Sequence, residues 1–186
     1  KPVAEGTGKG ITALSKITSR KNLRAVCLNL LKTFRQPVLV ETYLPGREFT
    51  VGILGTGKDA RALGVLEVIL KPEAEKNAYS YENKEHYDKL VDYVLVDDPE
   101  ARKAADISLM AWRALDLRDA GRVDLRSNTY DVPHFMEVNS LAGLNPVRSD
   151  LPILCSKIGM SYHELISAII ISALQRVKNH PENRCK

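Results

Sequence analysis

Apolar residues recur every three or four positions in three segments of the chain, and this spacing is typical of amphipathic helices. The first segment runs from Ser19 to about Phe34, the second begins at Asp98, and the third follows Ser161. Each segment starts at a residue type that caps helix N-termini, and the second has proline at its first helical position. The sequence therefore predicts three helices, with Trp112 in the buried stripe of the second.

Short runs in which apolar and polar residues alternate predict strands. Glu48–Gly55 and Ala62–Leu70 form two such runs, which we expect to pair across a glycine turn. Val38–Val40 is an apolar run after a proline, and we expect a buried strand there that leads into a hinge. The polar residues Lys71–Lys89 show no sustained period and predict a long loop. Irregular alternation of helices and strands, with two candidate hairpins, favours an α+β fold.

A second candidate hairpin places polar side chains on one face. Two alternating runs flank a turn-rich segment around Tyr130-Asp131. A hairpin that closes there brings Asp124 opposite Glu137 and Arg122 opposite Asn139, with all four side chains on the same face. The other face is expected to be apolar and to contain Val123, Leu125, Met136 and Val138. Two carboxylates and an amide are oxygen ligands that suit Mg²⁺, whereas a solvated hairpin face with an ordinary ion pair is the alternative interpretation.

Two further segments carry residues suited to a nucleotide. The segment Glu5–Gly10 combines alternating glycines with a hydroxyl and a lysine, so its backbone can wrap around an anion. Its glycine spacing fits neither a Walker P-loop nor a Rossmann loop, and taken alone it is more typical of a flexible surface turn. The segment Glu41–Glu48 carries an acid at each end. Backbone groups of such an extended linker can read an adenine edge while a carboxylate holds a ribose diol, and an ordinary connector is the alternative.

Composition narrows the class of protein. The chain has 186 residues, a net charge of +4, 44% hydrophobic residues and 27% charged residues, which excludes a disordered chain. Neither a long basic run nor interleaved aromatic residues are present, so we expect no nucleic-acid partner. No apolar run is long enough to cross a membrane. The three cysteines lack zinc or redox spacing and are expected to be reduced thiols in a cytoplasmic protein.

In this order along the chain, these motifs resemble the ATP-grasp fold, and most closely the D-alanine:D-alanine ligase family. The matching strings are Lys1-Pro2, Glu5–Gly10, Val40-Glu41, Gly46–Val51, Arg122–Asp124, Glu137–Asn139 and Gly143-Leu144. The resemblance implies two α+β subdomains that grip ATP. Residues 1–44 would be part of the central (lid) subdomain, and residues 45–186 would be the C-terminal subdomain with the metal and acceptor sites.

The resemblance also implies a role for each matching residue. ATP would be bound by Lys1, Glu5, Gly6, Thr7, Gly8, Glu41, Tyr43, Leu44, Glu48 and Lys84. Two Mg²⁺ ions, which Mn²⁺ could replace, would be held by Asp124, Glu137 and Asn139. Arg122 and the backbone N–H of Gly143 would stabilise the negative charge of the transition state. Arg148 and Ser149 are candidates for binding a substrate carboxylate, in a segment about one residue longer than the usual family pattern.

The implied activity joins a carboxylate to an amine, with ATP as the energy source. The expected substrates are two D-alanines, joined through an acyl phosphate for peptidoglycan precursor synthesis. Another ATP-grasp amino-acid ligase and a non-catalytic nucleotide-binding module are the alternatives. Because the family's N-terminal third has no counterpart here, we expect a fragment with little or no ligase activity on its own, which needs that N-terminal segment as a partner. A homodimer is compatible with the resemblance.

Overall fold

The computed structural model describes residues 1–6, 8–70 and 91–178, and they form two compact units. The first unit contains the described residues of Lys1–Pro45 and Ile69–Asp92, and the second contains those of Gly46–Val68 and Tyr93–Lys186. The helices are α1 (Arg20–Phe34), α2 (Pro99–Ala114), α3 (Asp150–Lys157) and α4 (Tyr162–Lys178). The strands are β1 (Glu48–Leu54), β2 (Arg61–Leu70), β3 (Val91–Val96), β4 (Ala120–Ser127) and β5 (Pro133–Asn139). This content confirms the predicted α+β class.

Helix α1 has the N-terminus that its sequence predicts. The Ser19 hydroxyl accepts a hydrogen bond of 3.3 Å from the backbone N–H of Asn22, which satisfies one of the free donors of the first turn. At the other end, Arg35 has a left-handed backbone with φ of 51°, and its N–H donates to the Leu31 carbonyl. This left-handed residue ends the helix.

The predicted buried strand Val38–Val40 is wrong. Within the described residues, Val38 forms only an isolated antiparallel bridge with Pro2. Leu39 is 40% exposed and Val40 is 60% exposed. Leu39 and Lys1 form two backbone hydrogen bonds, of 2.8 and 3.0 Å, so this segment pairs with the first residues of the chain. An apolar run becomes a buried strand only when neighbouring elements cover it, and the local pattern does not contain that information.

The second unit is built on a five-stranded sheet with the order β3-β2-β1-β4-β5. Strand β1 pairs antiparallel with β2 and with β4, and Val51 lies opposite Val65 and Val123. This confirms the predicted pairing of the first two strands. Helix α2 packs on the sheet, and its side of the core contains Phe49, Val51, Ile53, Val123, Leu125, Ala101, Ala104 and Trp112.

Helix α2 begins where the sequence predicts. The Asp98 carboxylate accepts hydrogen bonds from the backbone N–H groups of Glu100 and Ala101, at 3.0 and 3.1 Å. Trp112 is completely buried, as predicted, and its indole N–H donates to the Gly55 carbonyl at 3.1 Å. Leu115, the first residue after the helix, is 54% exposed.

Helices α3 and α4 cover the other side of the sheet, where glycines make room for them. A Cβ at Gly52 would lie 3.0 Å from the side chain of Leu151. Side chains alternate along β1, so Gly52 faces away from the core beneath α2. Leu151, Cys155 and Leu165 form the centre of this second cluster. The sequence did not predict α3, on which Cys155 is completely buried.

Helix α4 has the predicted capping box. The Ser161 N–H donates to the Glu164 carboxylate at 2.7 Å, and the Glu164 N–H donates to the Ser161 hydroxyl at 3.2 Å. Its apolar face is only partly covered, since Ile170 and Leu174 are each 53% exposed. Within the described residues no single helix is long and apolar enough to cross a membrane, and α3 and α4 reach that length only together, across a bend of 113°.

Candidate functional site

The hairpin of β4 and β5 has the predicted register at its polar positions. Asp124 lies directly opposite Glu137, and Arg122 lies directly opposite Asn139. Because side chains two residues apart share a face of a sheet, the four polar side chains project from the same face. The predicted positions of these four residues are therefore confirmed.

The apolar face of the hairpin differs from the prediction at Met136. The register shifts by one residue after Asp124, so that Leu125 pairs with Phe135 and Met136 is the extra residue of a bulge. Val123 and Leu125 are fully buried, but Met136 is 42% exposed. The prediction for Met136 assumed that the two strands pair without interruption, so that side chains alternate strictly between the faces. The bulge breaks that alternation.

Asp124 accepts hydrogen bonds from two sides. The Thr50 hydroxyl donates to Asp124 Oδ1 at 2.9 Å, and the Asn139 amide donates to Asp124 Oδ2 at 3.3 Å. The same amide lies 3.4 Å from Glu137 Oε1, so it bridges the two carboxylates. Burial raises the pKa of Asp124 to about 7, and the charge of Glu137 acts in the same direction while Arg122 opposes both.

The donor set fits a hard divalent cation. Asp124 and Glu137 supply carboxylate oxygens, and turning the Asn139 amide over would present its oxygen to the same space. In the part of the chain that the structure describes, no three His, Cys, Asp or Glu side chains are grouped so as to hold a metal by themselves. Mg²⁺ commonly takes one or two carboxylates and completes its coordination with substrate phosphates and water. This cluster is therefore suited to a metal that arrives with a phosphate ligand.

Arg122 is held between two carboxylates. Its Nη2 lies 3.4 Å from Asp124 Oδ2, and its Nη1 forms an ion pair with Asp150 at the start of α3. Burial opposes the charged form, but the surrounding carboxylates outweigh it and raise the pKa of Arg122. The Tyr93 hydroxyl donates to the other oxygen of Asp150 at 2.8 Å. Neither Tyr93 nor Asp150 was predicted as part of this site.

The loop after β5 packs tightly at Gly143. A Cβ on this residue would lie 2.6 Å from the Ser149 hydroxyl oxygen. That hydroxyl already accepts a hydrogen bond of 3.0 Å from the Asn145 N–H, and the Asn145 side chain accepts one from the Arg148 N–H. The two candidate substrate ligands, Arg148 and Ser149, are therefore held in one hydrogen-bonded turn that also contacts Gly143.

Part of the predicted nucleotide site lies in the first unit. Lys1 Nζ forms an ion pair of 2.6 Å with Glu41, so the predicted phosphate and adenine ligands contact each other. The Lys16 ammonium lies 4.3 Å from the centre of the Tyr43 ring. Leu44, two residues before the second unit begins, is half-buried.

The glycine segment of the first unit is folded back on itself. The Lys9 N–H donates to the Gly6 carbonyl at 3.1 Å, and Gly8 has a left-handed φ of 78°, which favours glycine. Glu5 accepts from the Gln36 amide at 2.9 Å and pairs with Lys9 at 3.1 Å. The predicted ligands Thr7 and Lys84 lie outside the described residues, as does the predicted loop at 71–89.

Glu48, the predicted ribose ligand, belongs to the second unit. It lies at the start of β1, half-buried, with Arg126 Nη1 3.3 Å from its carboxylate. The preceding residue, Arg47, has no predicted role but forms an ionic cluster with three carboxylates. Its guanidinium donates to the carboxylates of Glu67, Asp98 and Glu100 at 2.7 to 3.1 Å.

The chain matches a known family along most of its length. The family model described as "D-ala D-ala ligase C-terminus" covers residues 1–171. The chain is 34% identical over 185 residues to a D-alanine–D-alanine ligase from Bordetella petrii, with 98% of this chain and 54% of the relative covered. It is 37% identical over 172 residues to the D-alanine–D-alanine ligase of Aquifex aeolicus, covering 91% and 54%. The chain thus spans about half the length of these curated relatives.

Solved structures of the same group share the fold. A D-alanine–D-alanine ligase from Bacillus anthracis complexed with ATP matches with a TM-score of 0.67 and 23% identity, over 87% of this chain and 49% of that one. The VanG D-Ala:D-Ser ligase from Enterococcus faecalis matches with a TM-score of 0.69 and 22% identity, over 92% and 48%. These enzymes have the ATP-grasp fold, and the similarity confirms the predicted fold for this chain.

Proposed function

Since the chain belongs to the D-alanine–D-alanine ligase family, in its C-terminal part, we propose that it supplies the ATP-binding and metal-binding machinery of a carboxylate–amine ligase. The observation that supports this most directly is the cluster on the β4–β5 hairpin. Asp124, Glu137 and Asn139 converge there on one space, with Arg122 beside them. Two carboxylates and an amide can bind metal ions, and the buried arginine beside them can bind phosphate. This combination suits a nucleoside triphosphate with its metal ions.

The proposed reaction has two steps. A carboxylate oxygen of the first amino acid attacks the γ-phosphorus of ATP, giving an acyl phosphate and ADP. The amine of the second amino acid then attacks the acyl carbon, the C–N bond forms, phosphate leaves and the amine loses a proton. Phosphoryl transfer of this kind is accelerated mainly by positioning and by charge stabilisation.

The residues of the hairpin have distinct roles in this proposal. Asp124, Glu137 and Asn139 would hold two Mg²⁺, or Mn²⁺, and those ions would neutralise triphosphate oxygens when bound. Arg122 would face the charge that develops on the transferred phosphoryl group. The Gly143 N–H would donate to the oxyanion formed when the amine attacks.

The remaining predicted ligands would bind the nucleotide. Lys1 and the glycine segment with Glu5, Gly6, Thr7 and Gly8 would contact phosphates, as would Lys84. Glu41 would accept from the adenine amino group, Tyr43 and Leu44 would line the ring, and Glu48 would hold the ribose hydroxyls. The proposed subdomains are residues 1–44 and residues 45–186.

D-alanine is the proposed substrate at both positions, in the cytoplasm, for peptidoglycan precursor synthesis. The neighbouring VanG enzyme is a D-Ala:D-Ser ligase, so enzymes of this fold differ in their acceptor. Arg148 and Ser149 would bind the acceptor carboxylate in the turn beside Gly143. A screen of D-alanine, D-serine and D-lactate as acceptors, with ADP formation as the readout, tests this assignment.

The metal assignment is tested in the full-length natural protein with ATP, Mg²⁺ and D-alanine. We expect Asp124→Asn and Glu137→Gln to reduce ADP formation to background without lowering the melting temperature. Asp131→Asn, an exposed carboxylate in the turn of the same hairpin, is the matched control and keeps full activity. Normal ADP formation by Asp124→Asn would refute the metal site.

The same assay separates a ligase from a nucleotide-binding module. In a ligase, phosphate release depends on both amino acids, because the acyl phosphate is consumed by the amine. A module that binds ATP without an acceptor site gives phosphate release that amino acids do not change, and that result would contradict the proposed reaction.

A further inference from the structure

Arg122 lies between two carboxylates that belong to different elements. On one side, Nη2 lies 3.4 Å from Asp124 of β4. On the other side, Nη1 pairs with Asp150, the first residue of α3. The side chains of Arg122 and Asp150 are each only 15% exposed, so this pair is largely shielded from water.

Both oxygens of Asp150 have protein partners. Its Oδ2 pairs with Arg122, and its Oδ1 accepts a hydrogen bond of 2.8 Å from the Tyr93 hydroxyl of β3. The Asp124 carboxylate lies 3.4 Å from the same guanidinium, beyond an ordinary hydrogen-bond length for a charged pair. The geometry therefore orients Arg122 from the α3 side and leaves its contact with Asp124 long.

We propose that Asp150 is a positioning residue that, with Tyr93, holds Arg122 away from Asp124. This inference rests on the proposed function, in which Asp124 is a metal ligand and Arg122 faces the transferred phosphoryl group. A metal ion and a guanidinium compete for the same carboxylate, because each neutralises its charge. Asp150 limits that competition by giving the guanidinium a second carboxylate partner.

The consequence of losing Asp150 follows from burial. A buried guanidinium without a full counter-charge is costly, so it moves toward the nearest remaining carboxylates. Those are Asp124 and Glu137, two of the three proposed metal ligands. Loss of an outer residue that orients a metal site typically costs about 10–100-fold in metal affinity or activity.

The test compares Asp150→Asn with a matched variant elsewhere in the second unit. Asp119 also pairs with an arginine, at 2.8 Å from Arg176, and its side chain is 18% exposed. Asp119→Asn therefore makes the same chemical change in a similar ion pair outside the proposed site. Both variants are made in the full-length natural protein, and Mn²⁺ binding is titrated by electron paramagnetic resonance with a non-hydrolysable ATP analogue present.

We expect Asp150→Asn to weaken Mn²⁺ binding about tenfold and to lower kcat, with little change in KM for the amino acids. Tyr93→Phe, which keeps the ion pair and removes one hydrogen bond, shifts Mn²⁺ affinity in the same direction by a smaller factor. Asp119→Asn leaves both readouts unchanged. Equal Mn²⁺ affinities in Asp150→Asn, Tyr93→Phe and wild type overturn the inference, as does an equal loss in Asp119→Asn.

The two proposals fail in different ways. If wild-type protein binds Mn²⁺ with the nucleotide analogue but forms no ADP, the ligase activity is refuted while the titration still decides the role of Asp150. If Asp150→Asn does not fold, the Tyr93→Phe titration decides it, because a tyrosine-to-phenylalanine change keeps the size of the side chain.

Discussion

The Thr50 hydroxyl donates a hydrogen bond of 2.9 Å to Asp124 Oδ1 from the neighbouring strand. Thr50 is directly opposite Asp124 in the β1–β4 pair and is 4% exposed. The bond fixes one carboxylate oxygen and leaves the other toward Asn139. A buried hydroxyl that orients a metal-ligating carboxylate is a typical outer partner of a metal site.

Replacing this hydroxyl tests its role in orientation. We expect Thr50→Val to weaken Mn²⁺ binding by about 10-fold or more, because the carboxylate loses its fixed orientation. Thr50→Ser keeps the hydroxyl and is expected to bind Mn²⁺ like wild type, as measured by the same resonance titration. Equal affinities in the Val and Ser variants would mean that the hydrogen bond does not orient Asp124.

A side chain at Gly143 is expected to disturb the loop that carries the proposed oxyanion donor. The added Cβ of Gly143→Ala would meet the Ser149 hydroxyl at 2.6 Å, so the loop or the serine must move. ADP formation should fall, and removing the obstacle in Gly143→Ala/Ser149→Ala should restore part of it, because the next nearest atom lies at 3.3 Å.

The single variant Ser149→Ala is the necessary control for that pair. It loses the hydrogen bond from the Asn145 N–H, which costs about 0.5–1.5 kcal/mol, without adding an atom near Gly143. Because Ser149 is also a proposed acceptor ligand, the double variant is compared with Ser149→Ala as well. If Gly143→Ala lowers ADP formation by the same factor with and without the Ser149 hydroxyl, contact with that hydroxyl is not the cause of the loss.

Counting from a turn between residues 130 and 131 places Asp124 opposite Glu137 and Arg122 opposite Asn139, as observed. The pairs next to the turn, such as Arg126 with His134, are instead centred on Tyr130, and a bulge restores the counted register farther along the strands. The bulge at Met136 could not be found in this way, because it changes the count by one residue without a glycine or proline to mark it.

Thr50, Tyr93 and Asp150 could not be predicted for a different reason. Each reaches the site from an element that is distant along the chain, through strand order or helix packing. Local periodicity indicates which face of an element is apolar but not which element lies beside it. The same limit explains Val40 and Ile170, whose exposure depends on what packs over them.

Arg47 is expected to contribute to the stability of the second unit. Its guanidinium donates to Glu67, Asp98 and Glu100 from a side chain that is 31% exposed. Lysine cannot reproduce these forked contacts, so we expect Arg47→Lys to lower the free energy of unfolding by about 1–3 kcal/mol. Urea denaturation followed by circular dichroism measures the change.

A matched arginine on the surface provides the control for Arg47. Arg102 makes a forked pair with Asp97, at 2.9 and 3.0 Å, but both side chains are mostly exposed. Exposed pairs contribute little because water and salt screen them, so Arg102→Lys should leave the urea midpoint unchanged. Similar losses in both variants would show that burial is not what makes the Arg47 cluster stabilising.

The same cluster predicts how stability changes in acid. Hydrogen bonds from Arg47, and then from the Ala101 N–H, lower the pKa of Asp98 from 3.8 to about 2. A carboxyl group whose pKa is lower in the folded state stabilises the fold above its ordinary pKa, and that stabilisation is lost as pH falls through the folded value. Asp98→Asn keeps a capping oxygen for α2 but removes the charge.

We therefore expect the stability difference between wild type and Asp98→Asn to shrink as pH falls from about 4 to about 2, measured by urea denaturation at each pH. Asp106→Asn, an exposed change on the same helix, should show no such narrowing. A difference that stays constant for Asp98→Asn across this pH range would contradict the charge pairing with Arg47.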